Sequence, residues 1–302
     1  MKASLVICSR NRSQDLEHTL DSMLPSLHDD PSLLEILVVD NGSSDTTREI
    51  VERTMTAWPK LRYTSYPVQG LSRARNHGVS IALGDVLVWT DDDVRVDPSW
   101  LPNLLHPITS GNCECAVGRV EIAGHLFRDW MTRKHRVWLA ENITPAKPCL
   151  VGANMAISRR ALEATGRFDT SLGAGALGFH EETLLGMKLE KMGMCPAYVH
   201  DAVVIHHFHP SRLTRKSWVK TALDAGTSTA HVRHHWDGTR EKMIAARITW
   251  HGVMLLLWRM IHPVVFLSKE GIDLREFGRI KTISYLRGMR RMNKSRPKNT
   301  KS

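Results

Sequence analysis

The stretch VLVWTDDDVRVDP, residues 86–98, begins as an apolar, β-favouring run and ends in three adjacent aspartates, Asp91, Asp92 and Asp93. A continuous apolar run of this length is typical of a strand that is buried on both faces. Adjacent carboxylates repel one another unless a positive charge lies among them. The stretch therefore predicts a buried strand whose end carries a cation.

Strands and helices alternate through the first third of the chain. Three further buried runs, at 4–9, 36–39 and 61–66, are separated by segments whose apolar residues recur at helical spacing. This β-α-β-α order is typical of a parallel sheet with helices on both faces. We therefore expect an α/β fold built on a Rossmann-like, mostly parallel sheet.

Polar residues follow three of the four predicted strands. Ser9 ends the first, Asp40 and Asn41 end the second, and the aspartate triplet ends the fourth. Ligands of open α/β sheets bind beyond the carboxyl ends of the strands. Asp40-Asn41-Gly42 by itself also fits a turn, and an isolated triplet also fits a solvated loop. At a strand end, however, oxygen ligands without a glycine-rich calcium loop favour Mg²⁺ or Mn²⁺ shared with substrate phosphates.

Composition limits the class of protein. A chain of 302 residues with 42% hydrophobic content can bury a sizeable core. Its formal charge of +10 points to an anionic partner. The five cysteines show no C-x-x-C spacing, and the first apolar run is too short for a signal-peptide core, so we expect reduced thiols in a cytoplasmic protein.

The motifs in their order resemble glycosyltransferase family 2, which has the GT-A fold. The resemblance covers roughly residues 3–210 and rests on VICSRNR, LVVDNGSSD, GLSRARNHG, GDVLVWTDDDVRVDPSWL, GANMAIS, GRFD and HEETLLGMKLEKMG. It implies a nucleoside-diphosphate sugar donor, a divalent metal on an Asp-x-Asp element, and a carboxylate base for a single displacement with inversion.

The resemblance also implies a part for individual residues. Ser9, Asp40 and Asn41 would lie at the nucleoside, Arg75 would be a basic residue of the donor site, and Asp91 with Asp92 would face the ribose or nucleotide. Asp93 would hold the metal, with Asp91 beside it. Family members place a histidine after the strand that follows the catalytic helix, and His206 falls first there, although His207 and His209 remain alternatives. An imidazole among oxygen ligands shifts the preference from Mg²⁺ toward Mn²⁺.

An acidic pair opens a helix after residue 180. A carboxylate opposite the leaving group is needed to take the proton of the acceptor hydroxyl. The family has Glu then Asp here, with the second residue as base, so the resemblance implies Glu182, with Glu181 as the alternative. Glu182 is one methylene longer than the family's Asp. Both acids would also suit a helix N-terminus without any catalytic part.

The resemblance also bears on the acceptor and the type of transfer. The resemblance implies that Gly152, Ala153, Asn154 and the loop 170–180 line the acceptor side. The Q-x-x-R-W motif of processive synthases is missing, which favours transfer of a single sugar, in cell-envelope polysaccharide or glycoconjugate synthesis. A saccharide or lipid-linked acceptor is expected, and no nucleic acid. Three alternatives are a sugar-nucleotide nucleotidyltransferase, a basic nucleic-acid-binding protein and a non-catalytic scaffold. The nucleotidyltransferase would need a glycine-rich loop in place of CSRNRS.

The chain divides into a catalytic part and an appendage. Residues 1–210 are predicted to form the catalytic domain, with 1–110 as the nucleotide-sugar half and 111–210 as the acceptor half, and 211–302 a helical appendage. Within the appendage, 248–268 is apolar on nearly every face and 279–302 contains no acid. Packing on the domain and contact with membrane both fit the apolar run. The basic segment favours a peripheral enzyme at the anionic inner membrane face.

Overall fold

The structure, a computed structural model, describes residues 1–145 and 147–295 and separates into two compact units. The first unit comprises Met1–Ser171 and Glu181–Phe208. The second comprises Leu172–His180 and the described residues from His209 onward. The sequence prediction kept 1–210 together, whereas the loop Leu172–His180 groups with the later helices. The predicted donor, metal and base residues lie in the first unit, whereas the alternative ligand His209 and most of the predicted acceptor loop 170–180 lie in the second.

The first unit alternates strands and helices as the sequence predicts. Its opening elements are β1 (Ala3–Ser9), α1 (Ser13–Leu27), β2 (Leu33–Asp40), α2 (Thr47–Met55), β3 (Leu61–Ser65), α3 (Leu71–Ile81) and β4 (Val86–Thr90). The remaining ones are β5 (Val94–Val96), α4 (Trp100–Thr109), β6 (Cys115–Ile122), α5 (Arg133–Trp138), β7 (Met155–Ser158), α6 (Arg159–Thr165), α7 (Glu181–Lys191) and β8 (Ala197–His206).

All eight strands form one sheet in the order β3-β2-β1-β4-β7-β6-β8-β5. The four N-terminal strands pair in parallel, as predicted. Beyond β4 the sheet is mixed, because β7 runs antiparallel to both β4 and β6, and β5 runs antiparallel to β8. The aspartate triplet forms the connection between β4 in the sheet interior and β5 at its edge. The register pairs Val94 of β5 with His206 of β8.

Helices cover both faces of the sheet, so the strands are buried on both sides. Leu5, Ile36 and Val88 pack on one face with residues of α1 and α4. Their neighbours along the strands, Leu37 and Trp89, pack on the opposite face with residues of α3, α6 and α7. This two-sided burial explains why the strands read as continuous apolar runs.

The second unit is helical. It contains α8 (Arg215–His235), α9 (Ile244–Ile261), α10 (Pro263–Phe266) and α11 (Leu274–Ser295). Helices α8 and α11 pack so closely that a Cβ at Gly226 would lie 2.3 Å from the carbonyl oxygen of Lys281. Within the described chain, every helix is too short or too polar to cross a bilayer. Most of the predicted basic segment is thus a packed helix, and residues 296–302 lie outside the described residues.

Candidate active site

Asp92 connects the aspartate triplet to β1 and α1. Ser9 Oγ donates a hydrogen bond of 2.7 Å to Asp92 Oδ2, and Thr19 Oγ1 donates one of 2.8 Å to the Asp92 carbonyl. Asp92 is buried. Ser9 and Asp92 therefore tie the ends of β1 and β4 together, although the resemblance implied nucleotide contacts for both.

Arg12 supplies the positive charge that the triplet requires. Its Nη1 lies 3.0 Å from Asp92 Oδ1 and 2.6 Å from Asp93 Oδ2. Burial raises the pKa of Asp92, Arg12 opposes that rise, and the neighbouring Asp93 adds to it. Sequence reasoning missed Arg12. The signal was the basic residue in CSRNRS, the segment that follows β1.

Asp91, Asp93 and His206 form a cluster suited to a divalent metal. One ligand atom from each residue lies within 4.8 Å of the other two. His206 Nε2 is 3.1 Å from Asp93 Oδ1, and Nδ1 is 3.0 Å from the carbonyl oxygen of Leu139. If Nδ1 donates its proton to that carbonyl, the lone pair of Nε2 faces a carboxylate oxygen. A proton or a metal ion must then lie between these two acceptors, and two carboxylates with an imidazole suit Mn²⁺.

The other two histidines of the HHFH segment point elsewhere. The His207 amide donates a hydrogen bond of 2.7 Å to the Asp93 carbonyl, while its ring packs 5.5 Å from the ring of His125. His209 belongs to the second unit, where its Nδ1 accepts a hydrogen bond from the Ser211 amide. Of the three candidates, His206 is the one whose side chain joins the carboxylates.

Asp40 and Asn41 lie at the end of β2 with different surroundings. Asp40 accepts hydrogen bonds of 2.8 Å from the Ser43 amide and the Tyr63 hydroxyl.

The Asn41 amide nitrogen donates to the carbonyls of Tyr66 and Val68, and its oxygen accepts from the Gly70 amide at 2.8 Å. The Asn41 side chain thus holds the loop 66–70 in place. Both polar atoms of its amide bond to backbone groups, and the predicted nucleoside contact of Asn41 stays a prediction.

Arg75 links the metal cluster to the acidic pair at the start of α7. Its guanidinium is buried, 3.1 Å from Glu181 Oε1 and 3.9 Å from Asp91 Oδ1. It also lies over the ring of Phe168, 5.5 Å from the centroid. A Cβ at Gly152 would approach Arg75 Nη2 to 2.2 Å, so glycine is needed there to leave room for the guanidinium.

The two glutamates differ in environment. The pKa of Glu181 is raised to about 8, chiefly by burial and also by the adjacent Glu182, against the opposing effect of Arg75. Glu182 Oε2 is buried and has no hydrogen-bond partner among the described residues. An unpartnered carboxylate oxygen can accept a hydrogen bond from a substrate hydroxyl.

Asn154 does not line an acceptor site, contrary to the sequence expectation. It is fully buried, accepts from the Trp100 indole at 2.8 Å and donates to the carbonyls of Arg119 and Ala202. Trp100, the first residue of α4, is likewise a core residue.

The fold is that of the GT-A glycosyltransferases. A mannosyltransferase from Pyrobaculum calidifontis, solved with GDP-mannose and Mn²⁺, superposes with a TM-score of 0.57 at 18% identity, covering 95% of this chain and 69% of that one. Glucosyl-3-phosphoglycerate synthase from Mycobacterium tuberculosis, solved with Mn²⁺ and UDP-glucose, superposes with a TM-score of 0.55 at 22% identity, covering 80% of each chain.

The sequence comparison identifies the family. Residues 4–166, more than half of the chain, match the model of glycosyl transferase family 2, and the chain belongs to that family. It is 24% identical over 189 residues to a glucosyl-dolichyl phosphate glucuronosyltransferase of Haloferax volcanii, covering 57% of this chain and 58% of that protein. It is 31% identical over 133 residues to a dolichol-phosphate mannosyltransferase of Pyrococcus furiosus, covering 43% of this chain and 36% of that protein.

The protein is thus a family 2 glycosyltransferase, as the sequence motifs predicted. The family match decides against the nucleotidyltransferase reading. The chain spans less than two thirds of the length of these relatives.

Proposed function

We propose that the protein is a metal-dependent, inverting glycosyltransferase that moves a single sugar from a nucleoside-diphosphate sugar to an acceptor hydroxyl. One observation carries the proposal: Asp91, Asp93 and His206 converge within 4.8 Å, and Arg75 joins Asp91 to the acidic pair that opens α7. This arrangement supports the proposal, because the reaction needs both a bound metal and a base.

The proposed metal residues are Asp91, Asp93 and His206, and the metal is Mn²⁺ or Mg²⁺. When bound there, the metal would stabilise the negative charge that develops on the departing diphosphate. Solved structures with this fold contain Mn²⁺ with GDP-mannose or UDP-glucose, which supports a divalent metal and a nucleotide sugar here. Ser9 and Asp40 border the proposed nucleoside end of the donor site.

Glu182 is the proposed base. Its Oε2 has no hydrogen-bond partner among the described residues, whereas Glu181 faces the Arg75 guanidinium at 3.1 Å. Since the raised pKa of Glu181 keeps that carboxyl protonated near neutral pH, Glu182 is better suited to accept the proton of the acceptor hydroxyl. Arg75 then holds Glu181 and Asp91 in position.

The acceptor is proposed to be a saccharide or a lipid-linked sugar. Two relatives are named for dolichyl phosphate substrates, which supports an acceptor held by a membrane lipid. The excess of basic residues in the second unit supports a cytoplasmic enzyme that contacts an anionic inner membrane face.

The test of metal and donor binding is a thermal-shift panel of nucleoside diphosphates and nucleotide sugars with and without Mn²⁺. A ligand that binds the native state raises its apparent stability by mass action. One nucleoside diphosphate should stabilise the wild type only with Mn²⁺, and Asp93→Asn should abolish that effect. The matched control is Asp201→Asn at an exposed position of β8, which should behave as wild type. Stabilisation without metal would contradict the proposed site.

The test of the base is transfer by Glu182→Gln. This variant should retain donor and metal binding while transfer falls by orders of magnitude, whereas Glu190→Gln on the same helix should transfer normally. Unchanged transfer by Glu182→Gln would overturn the assignment. The product anomer, read by proton NMR, should have the configuration opposite to that of the donor.

A further inference from the structure

An exposed apolar stripe extends from Trp250 in α9 to Leu267 at the end of the short α10. Its members recur every three or four residues, the spacing that places side chains on one face of a helix. Trp250, Leu256, Met260 and Val264 are between 61% and 84% exposed. The apolar stripe consists of Trp250, Val253, Leu256, Leu257, Met260, Ile261, Val264 and Leu267.

The opposite side of α9 is packed within the second unit. Trp258 is buried, and Arg259 reaches Glu276 of α11 at 2.8 Å. Arg247 pairs with Glu241. The two arginines within α9 are therefore neutralised by partners of their own unit. The sequence reading of an all-round apolar helix is corrected: α9 has one packed face and one exposed apolar face.

The segment that carries the apolar stripe has a net positive charge. Residues 242–269 contain no Asp or Glu. The exposed Lys242 precedes α9, eight residues before the first member of the stripe, and the exposed Lys269 lies two residues after its last member. Residues 209–302 hold 20 Lys and Arg against 6 Asp and Glu, a net charge of +14, while residues 1–208 hold 21 against 25, a net of −4. The whole positive excess of the protein therefore belongs to the part of the chain that carries the stripe.

We propose that the apolar stripe of α9 and α10 inserts into the interfacial layer of an anionic membrane, with Lys242 and Lys269 at the lipid headgroups. A helix of 18 residues is about 27 Å long, so the stripe can lie along the membrane plane. Apolar insertion together with basic residues provides the two contributions that stable peripheral attachment requires.

An anionic lipid surface fits the stripe better than a second copy of the chain does. Pairing two copies through their stripes would bring two strongly basic units together, and like charges in an interface are unfavourable. Anionic headgroups supply the opposite charge. The inference deepens the proposed function, on which it rests for the lipid-linked acceptor, by naming the surface where such an acceptor would be met.

The experiment is co-flotation of the full chain with phosphatidylcholine vesicles that contain or lack phosphatidylglycerol. The wild type should float with the anionic vesicles at low salt and be released as salt screens the charges. Leu256→Glu/Met260→Glu should weaken binding by about a hundredfold or more, because two apolar side chains no longer enter the lipid. Lys242→Glu/Lys269→Glu should weaken it by about tenfold or more, on anionic vesicles alone.

The matched control is Leu223→Glu, which places the same charge at an exposed apolar position of α8 outside the stripe and should bind as wild type. Brominated lipid should quench tryptophan fluorescence, and Trp250→Phe should lose most of that quenching. The inference is overturned if the full chain ignores anionic vesicles at low salt, or if the stripe variant binds normally. It is equally overturned if the stripe variant only converts a dimer to a monomer in sedimentation.

The same proteins separate this inference from the proposed function. Stripe variants should keep the Mn²⁺-dependent stabilisation by a nucleoside diphosphate. If vesicle binding fails while that stabilisation persists, the membrane inference alone is wrong. If stabilisation fails while vesicle binding persists, the proposed donor site alone is wrong.

Discussion

Replacing Arg75 by methionine should be among the most destabilising single changes in the first unit. The guanidinium is buried and 3.1 Å from the buried carboxylate of Glu181. Methionine keeps much of the side-chain volume but removes the positive charge that compensates Glu182 and Asp91 beside the protonated Glu181. Removing one member of a buried ion pair costs about 3–5 kcal/mol. At about 2–4 °C per kcal/mol for a domain of this size, the melting temperature should fall by roughly 6–20 °C.

Urea unfolding followed by circular dichroism would measure this loss, with two comparisons. Arg48→Met removes an exposed i,i+4 pair with Glu52 and should leave the unfolding free energy nearly unchanged. The double variant Arg75→Met/Glu182→Gln should recover part of the loss, because one carboxylate fewer is then left without a positive partner. A cost below about 1 kcal/mol for Arg75→Met, or a double variant no more stable than the single one, would refute the reasoning.

Three further predictions follow from the same site. Gly152→Ala should displace Arg75 and cost about 1–3 kcal/mol of unfolding free energy, measured in urea. Gly124→Ala is the control and should be near neutral, because no atom lies within 4 Å of its new Cβ. Equal costs for the two variants would contradict the argument that Gly152 is crowded by Arg75. Arg12→Gln should destabilise the protein without metal by about 1–2 kcal/mol, a range that allows for the partial exposure of Arg12. It should also increase the thermal shift on adding Mn²⁺, since a divalent ion can then replace the lost charge. A smaller thermal shift than in the wild type would contradict this prediction. Because the pKa of Glu181 is raised to about 8, the folded state binds its proton more tightly, so the stabilisation is complete below the ordinary value of 4.5 and is lost as pH rises through about 8. Glu181→Gln should flatten that part of the curve of unfolding free energy against pH, Glu190→Gln should not, and an unchanged slope in Glu181→Gln would reject the assignment.

The parallel half of the sheet could be predicted from the sequence, because local patterns of apolar and polar residues determine it. Apolar runs before Ser9, Asp40 and Asp91 predicted the strands, and the rule that ligands gather at carboxyl strand ends predicted where polar residues would meet. The structure brings Asp91, Asp93 and His206 together as the motifs implied, although their roles stay predictions.

The remainder depends on pairings that no local pattern encodes. The antiparallel strands β5 and β7 were not predicted, since three- and four-residue strands carry little periodicity. Asn41 and Asn154 were read as ligand-facing because their segments match family motifs, yet each satisfies backbone groups of distant residues. Arg12 was missed for the converse reason, because its partners are 80 and 81 residues away.

The charge balance of the site explains how several acidic side chains can lie close together despite their electrostatic repulsion. Five carboxyl groups face two guanidinium groups, which leaves a formal charge of −3 when all seven groups are ionised. The acids are Asp91, Asp92, Asp93, Glu181 and Glu182, and the bases are Arg12 and Arg75. The protein without metal lowers that charge by keeping protons, as the raised pKa values of Asp92 and Glu181 indicate. A divalent cation would remove the need for such protons at the aspartates, while Glu181 would keep its own because Arg75 compensates only part of the acidic pair. If the proposed cation site is occupied, Asp92 would thus lose its proton, whereas Glu181 would stay neutral beside Glu182, the proposed base.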